Sequence, residues 1–256
     1  MILVFDVGNN HIVMGVYRGN ELLHHWTVST DLSRTADEYA VLIYNLFGIN
    51  NLSFKDISAL VASSVVPPLT PMLEELGKKY FGQKPMLVGP GIKTGMRVLY
   101  DNPKEVGADR IVNAVAAFEL YQGPLIIVDF GTATSFCVVS ANGDYLGGAL
   151  APGIENSAEA LFKRAAKLPK IELVKPKSVI AKNTIQGMQA GILYGFAGQV
   201  DGVVENLQKD IGKVNKVVAT GTMAELIAEI SQCIDIVNPL LTLEGLRIIY
   251  ERNRQN

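Results

Sequence analysis

The sequence predicts an α/β protein built from two copies of one unit. Three observations carry this reading. A short apolar run, Ile2–Phe5, stops at Asp6-Val7-Gly8-Asn9-Asn10, and another, Leu125–Val128, stops at Asp129-Phe130-Gly131-Thr132-Ala133. Each is followed by two further runs joined by a turn. These are Ile12–Tyr17, Arg18-Gly19-Asn20 and Glu21–Val28 in the first copy, and Ser135–Val139, Ala141-Asn142-Gly143-Asp144 and Tyr145–Leu150 in the second. The copies stand nearly half of the 256 residues apart, and the rest alternates helical periodicity with short apolar runs, as repeated units do. Two domains are expected, 1–115 and 116–256, with the last helix able to pack back on the first domain and a ligand cleft between them.

Each element has a local reason. Asn142-Gly143 is a hairpin signal. Thr35-Ala36-Asp37-Glu38 is a capping box, followed by Tyr39, Leu42, Ile43, Leu46 and Phe47 on one helical face. Ala59–Val66 and Met86–Val88 read as strands, and between them Thr70-Pro71 opens a helix that Gly82 closes. A helix is expected from Ala108 to Tyr121 and another from near Asn156 to near Lys167. The Pro- and Lys-rich stretch Pro169–Pro176 reads as an exposed loop or flap. Lys213–Thr220 reads as a strand, Thr222–Ser231 as a helix, and Thr242 as the cap of a last helix through Leu246 and Ile249. Thr184–Lys209 is helix-like yet carries Gly187, Gly191, Gly195, Gly198 and Gly202 near one face. Each glycine costs about 1 kcal/mol against alanine in a helix interior. Close approach by another helix of the chain, a ligand or a second subunit would offset that cost.

Composition excludes several classes. Hydrophobic residues are 48% and charged residues 19%, so the chain is not disordered. Lys plus Arg is 23, Asp plus Glu is 25, and the net charge is −2. Neither a nucleic-acid footprint nor a membrane-surface patch is expected. Cys137 and Cys233 lack metal-ligand or redox spacing and read as buried small hydrophobes. The start, Met-Ile-Leu-Val-Phe-Asp, has neither a basic region nor a cleavage site, and no apolar stretch is long enough for a bilayer. A cytoplasmic protein is expected.

The chemistry should sit at the two strand ends. Glycine at Gly8 and Gly131 lets amides point into a turn, and these amides with Asn9, Asn10, Thr132 and Thr134 could cradle phosphate. Asp6 and Asp129 would repel bare phosphate, so a cation between acid and phosphate is implied. One such block alone reads best as a capped turn, whereas two matched copies favour phosphate. Neither a Walker motif nor a Rossmann fingerprint is present, since Gly89-Pro90-Gly91 lacks the third glycine. Gly107-Ala108-Asp109-Arg110 lies where a loop becomes a helix, so Asp109 is either an ordinary N-terminal acid or a base beside an anion clamp. Thr220-Gly221-Thr222 reads as a strand-to-helix turn or a nucleotide contact. His11, His24 and His25 have no metal spacing.

Asp6-Val7-Gly8-Asn9, Gly107-Ala108-Asp109-Arg110 and Asp129-Phe130-Gly131-Thr132-Ala133, in this order, resemble the three signature motifs of type III pantothenate kinase. Tyr100-Asp101-Asn102-Pro103, Gly147-Gly148, Pro152-Gly153, Asn183-Thr184 and Leu241-Thr242-Leu243-Glu244-Gly245-Leu246 match as well, so the resemblance spans essentially the whole chain. It implies two ribonuclease-H-like domains of the acetate and sugar kinase, actin and heat-shock chaperone superfamily. It also implies ATP-dependent phosphorylation of pantothenate, the first step to coenzyme A, by a homodimer using magnesium and either potassium or ammonium. By resemblance, Asp6, Val7, Gly8, Asn9, Asn10, His11, Ile12 and Val13 hold ATP, with Asp6 positioning magnesium. Thr132 and Gly221 also contact ATP. Tyr100, Gly107, Ala108, Asp109, Arg110 and Thr184 contact pantothenate, Asp109 is the base, and Asp129 binds the monovalent cation.

Two positions depart from the family pattern. Asn10 stands where threonine is usual, exchanging a hydroxyl for an amide, and Thr222 places a side chain where the adenosine motif usually has glycine. A kinase for another small hydroxyl compound, or a nucleotide-binding regulatory protein on the same fold, are the competing readings. An acid at Asp109 after the Tyr100 segment favours the kinase, because a switch needs no base.

Overall fold

The computed structural model describes residues 1–165 and 167–254. The chain divides into two units. The first comprises Met1–Met96, Asn102–Ala116 and Thr242–Asn256, of which 255 and 256 lie outside the described residues, and the second comprises Arg97–Asp101 and Ala117–Leu241.

The first unit begins with an antiparallel meander, β1 (Ile2–Val7), β2 (His11–Arg18) and β3 (Glu21–Ser29). Helix α1 (Ala36–Ile49) leads to β4 (Ala59–Ser64), which lies parallel to β1, and α2 (Thr70–Tyr80) leads to β5 (Met86–Leu87), parallel to β4. The sheet order is β3-β2-β1-β4-β5. Helix α3 (Ala108–Tyr121) starts in this unit.

The second unit repeats the plan. Strands β6 (Leu125–Phe130), β7 (Ala133–Val139) and β8 (Tyr145–Pro152) form the meander. After α4 (Ile154–Arg164) and α5 (Thr184–Ile211), β9 (Lys216–Gly221) lies parallel to β6. Helix α6 (Ala224–Ala228) leads to β10 (Ile236–Val237), giving the order β10-β9-β6-β7-β8. The two orders are the same, so the repeat seen as paired Asp-x-Gly blocks is a repeat of topology. Helix α7 (Leu241–Arg254) closes the chain.

Alternation places the core. Leu3, Phe5 and Val7 of β1 face one apolar cluster with Tyr39, Ile43 and Phe47 of α1 and Leu73 and Leu76 of α2. Ile126, Val128 and Phe130 of β6 do the same with Leu193, Ala197, Val200 and Val204 of α5. The capping box at Thr35 and Glu38 is present in full. On the opposite face of the first sheet, α7 packs so closely on α3 that a Cβ at Gly245 would overlap the Val112 carbonyl oxygen and lie 2.6 Å from its Cγ1.

Several boundaries differ from expectation. Helix α4 starts at Ile154 with Gly153 as its cap, because Asn156 instead donates its Nδ2 to the Thr132 carbonyl at 2.8 Å. It ends at Arg164, and position 166 of the stretch expected to continue it lies outside the described residues. Helix α6 is only five residues. Asp201 takes the Ser231 hydroxyl at 2.6 Å and the Gln232 and Cys233 amides, which holds that stretch in a non-helical turn. Thr242 does not cap α7, since its hydroxyl donates to Asn113 Oδ1 at 2.8 Å, and Asn238 takes the Leu240 amide and holds the preceding turn. Cys137 is buried as expected, while Cys233 is half-buried and its thiol is pushed up to about 11, chiefly by burial. The stretch Pro169–Pro176 has no regular structure, yet Ile171 and Leu173 pack on the second core, so it is anchored at those points. Among the described residues, no helix is long and apolar enough to cross a membrane.

Gly245→Val should destabilise the fold by about 1–3 kcal/mol through overpacking, or roughly 2–4 °C in Tm per kcal/mol for a chain of this size. Gly48→Ala, on an exposed helical position with nothing within 4 Å of the added Cβ, should instead raise Tm slightly. Thermal melts of the two variants check the contact, and an unchanged Tm for Gly245→Val would remove it.

Candidate active site

In each unit, a carboxylate stands one residue before the end of the strand that pairs antiparallel on one side and parallel on the other. Asp6 of β1 lies opposite Val13 of β2 and Ser63 of β4. Asp129 of β6 lies opposite Ser135 of β7 and Thr220 of β9. Both carboxylates are half-buried.

Tight turns follow. In the first unit the Gly8 amide donates to the His11 carbonyl at 3.0 Å, and Thr30 pins the loop. Its hydroxyl donates to Gly8 O at 2.6 Å and its amide to Asn10 O at 3.0 Å. Asn9 and Asn10 are exposed and His11 and Val13 half-buried. Val7 and Ile12 point into the apolar core, so only their backbone can reach a ligand. In the second unit the Gly131 amide donates to the Ala133 carbonyl at 3.1 Å, one residue shorter. The Gly153 amide and Asn156 Nδ2 both donate to the Thr132 carbonyl, at 3.2 and 2.8 Å. A Cβ at Gly153 would overlap the Gly131 and Thr132 carbonyl oxygens, which is why the start of α4 carries glycine there. Thr132 is exposed beside this junction. Thr134 is buried and its hydroxyl donates to the Pro152 carbonyl, so the side chain expected to help cradle phosphate is committed to the fold.

Gly107, Ala108, Asp109 and Arg110 form the turn into α3. Asp109 Oδ1 accepts the Arg110 amide at 2.8 Å and packs over Gly107, where a Cβ would overlap it. Burial raises the Asp109 carboxyl above the usual carboxylate range, and the Arg110 amide and charge only partly oppose that shift. A carboxylate raised in this way is better matched to take a proton near neutrality than an ordinary aspartate. Arg110 and Asn113, one turn on, are buried.

Of the remaining expected residues, Tyr100 is half-buried against Gly147, where a Cβ would lie 3.4 Å from its ring. Thr184 is exposed in the first turn of α5, after Asn183 caps that helix by accepting the Gln186 amide at 2.9 Å. Thr184 borders a groove of about 580 Å³ along α5, with Leu161, Met188, Ile192 and Phe196 among its apolar walls. Gly221 ends β9 at φ +90°, and a Cβ there would sit 2.6 Å from the Phe130 carbonyl. Its glycine is thus required by β6, whatever else it contacts. The short α6 gives no extended helix N-terminus after it.

Two features had no sequence signal. Ser63, directly beside Asp6 in register, carries a fully buried hydroxyl without a hydrogen-bond partner among the described residues. Arg97 and Asp144 form a bidentate ion pair. No cluster of three or more His, Cys, Asp or Glu residues able to hold a metal occurs among the described residues. Ser63, Ser135 and Thr220, opposite the acids in register, carry hard oxygens, which fits a divalent ion shared between one carboxylate and nucleotide phosphates.

Comparison with known proteins bears on this arrangement. A conserved protein of Campylobacter jejuni assigned to the Baf family of transcriptional activators is 19% identical over 100% of both chains, with a TM-score of 0.61. Component A of (R)-2-hydroxyglutaryl-CoA dehydratase from Acidaminococcus fermentans is 14% identical over 100% of this chain and 99% of its own, at 0.58. A ROK hexokinase from Thermus thermophilus is 14% identical over 98% and 99%, at 0.52. These likenesses show the fold alone, an α/β fold of two ribonuclease-H-like domains. The family model for type III pantothenate kinase matches residues 2–206, a stretch that holds both strand-end aspartates, the Asp109 turn and Thr184, so this chain belongs to the type III pantothenate kinase family.

Proposed function

We propose that this chain performs its family's ATP-dependent phosphorylation of pantothenate with Asp109 as the general base. The observation that carries the assignment is the half-buried Asp109 carboxyl at the start of α3, raised by burial, in the middle one of three ordered family motifs. Asp109 accepts the proton of pantothenate's primary hydroxyl as that oxygen forms its bond to the γ-phosphorus. The bond from γ-phosphorus to the bridging oxygen breaks, and ADP departs with that electron pair. Most of the rate comes from positioning and charge stabilisation. The domains are read as 1–115 and 116–256, the last helix belonging with the first.

The exposed Asn9 and Asn10 amides, the backbone of Val7 through Val13, Thr132 and Gly221 are assigned to ATP. Tyr100, Gly107, Ala108, Arg110 and Thr184 are assigned to pantothenate. Magnesium bound with ATP neutralises phosphate charge, and Asp6 is the carboxylate assigned to it. Asp129, flanked in register by the hydroxyl residues Ser135 and Thr220, is assigned to potassium or ammonium. Without that ion, Asp129 would face the triphosphate at a cost of several kcal/mol at short range, taking an effective dielectric of about 20. A homodimer is assigned to the glycine face of α5. Among the described residues nothing lies within 4 Å of a Cβ at Gly191, Gly195, Gly198 or Gly202, which supports an offsetting contact from a second subunit.

The wild type should consume ATP only when pantothenate is present. Asp109→Asn should lower kcat about 10²–10⁴-fold with substrate binding largely kept, and near-normal turnover would remove the base. The base must be deprotonated and its carboxyl is raised, so kcat should fall on the acid side at a pH above the ordinary carboxylate range.

With magnesium fixed and sodium or Tris as the other cation, activity should be nearly absent, and potassium or ammonium should restore it. Asp129→Ala should be inactive in every salt. Full wild-type activity without either ion would return Asp129 to turn capping.

Gly191→Leu should yield monomers in sedimentation, with weaker activity because Thr184 begins the same helix. A stable dimer of this variant would place the interface elsewhere.

A further inference from the structure

We infer that the Arg97–Asp144 ion pair is a positioning device that fixes Tyr100 for pantothenate, an inference that rests on the assignment of Tyr100 to the substrate. Residues 97–101 belong to the second unit, lie outside any regular element and reach β8 as a short strap. The Tyr145 amide donates to the Arg97 carbonyl and the Leu99 amide to the Tyr145 carbonyl, each at 2.8 Å. Val98 stands opposite Tyr145 in a parallel bridge. Two backbone bonds on so short a segment leave it free to peel, and the side chains supply the missing restraint.

Arg97 Nε donates to Asp144 Oδ1 at 2.7 Å and its Nη2 to Oδ2 at 2.8 Å. This planar fork-to-fork geometry fixes orientation as well as distance, and lysine cannot reproduce it. Asp144 is itself tied to the β7–β8 turn. It is buried, its amide donates to Ser140 Oγ at 3.0 Å, and its carbonyl accepts the Ser140 amide at 2.9 Å across the β7–β8 turn. Arg97 holds the Asp144 carboxyl below its ordinary value, so the pair stays charged through the neutral range.

The strap alternates in the manner of a strand. Arg97 and Leu99 are exposed, and Val98 and Tyr100 are half-buried. The Tyr100 ring rests on Gly147, which at φ +118° has no side chain to displace it. Tyr100 is therefore placed by the anchored strap behind it and bare backbone beneath it. No other charged partner of Arg97 or Asp144 enters this arrangement among the described ion pairs.

Steady-state kinetics and amide hydrogen exchange on the full chain test this. Arg97→Met should raise KM for pantothenate about tenfold, since misplacement on the scale of 1 Å carries penalties of this order or larger. KM for ATP should stay within about twofold, and exchange at the Leu99 amide should accelerate. Arg97→Lys should recover part of the loss, and Asp144→Asn should resemble Arg97→Met. An unchanged KM for pantothenate in Arg97→Met, or equal rises in both KM values with a lowered Tm, would overturn the positioning role. A Leu99 amide as protected as in the wild type would also overturn it. The wild type separates this from the parent assignment. A wild type without pantothenate-dependent turnover refutes the kinase reading, whereas an active wild type with an indifferent Arg97→Met refutes the strap alone.

Discussion

The structure depends on one constraint of strand pairing. A central strand that pairs antiparallel with the next strand must turn back at once, and one that pairs parallel with a later strand needs a crossover. β1 and β6 do both. Tight turn and parallel neighbour therefore meet at the same strand end in each unit. Asp6 comes to stand between Val13 and Ser63, and Asp129 between Ser135 and Thr220. The turn residues beyond each acid are exposed, while those on its core side are buried. An acid at such an end is held by two ladders, which suits a ligand set that must not move.

The same side chain is pushed in opposite directions elsewhere. Asp109 is raised because burial disfavours its charge more than the Arg110 amide favours it. Asp144 is lowered because a guanidinium grips both of its oxygens. One environment produces a candidate proton acceptor and the other a fixed anion. Both are aspartates near hairpins or helix starts in the sequence, and nothing in residue type separates them.

Glycine likewise has two uses. Gly245 and Gly153 are required because backbone from another element occupies the space a side chain would need. Gly191, Gly195, Gly198 and Gly202 of α5 have no such neighbour among the described residues. A helix gives up about 1 kcal/mol at each such position, and here no contact from the described residues stands against that cost.

The sequence by itself determined the repeat, the capped α1, the meander turns and the three motifs, because these are set by local rules of alternation, turn chemistry and capping. It also placed Asp6, Asp109 and Asp129 in their strand-end and helix-start settings. Tertiary structure decided the rest. It joined β4 to β1 and β9 to β6, and so put Ser63 and Thr220 beside the acids from distant positions. It turned Thr134 and Thr242 away from their expected tasks, because carbonyl and amide partners from other elements claimed their hydroxyls. It shortened α6 because Asp201, some thirty residues earlier, captured the following turn. The Arg97–Asp144 pair, 47 positions apart, was invisible for the same reason. Hydrogen bonds and ion pairs between remote residues leave no period in a sequence, since only the fold brings the partners within reach.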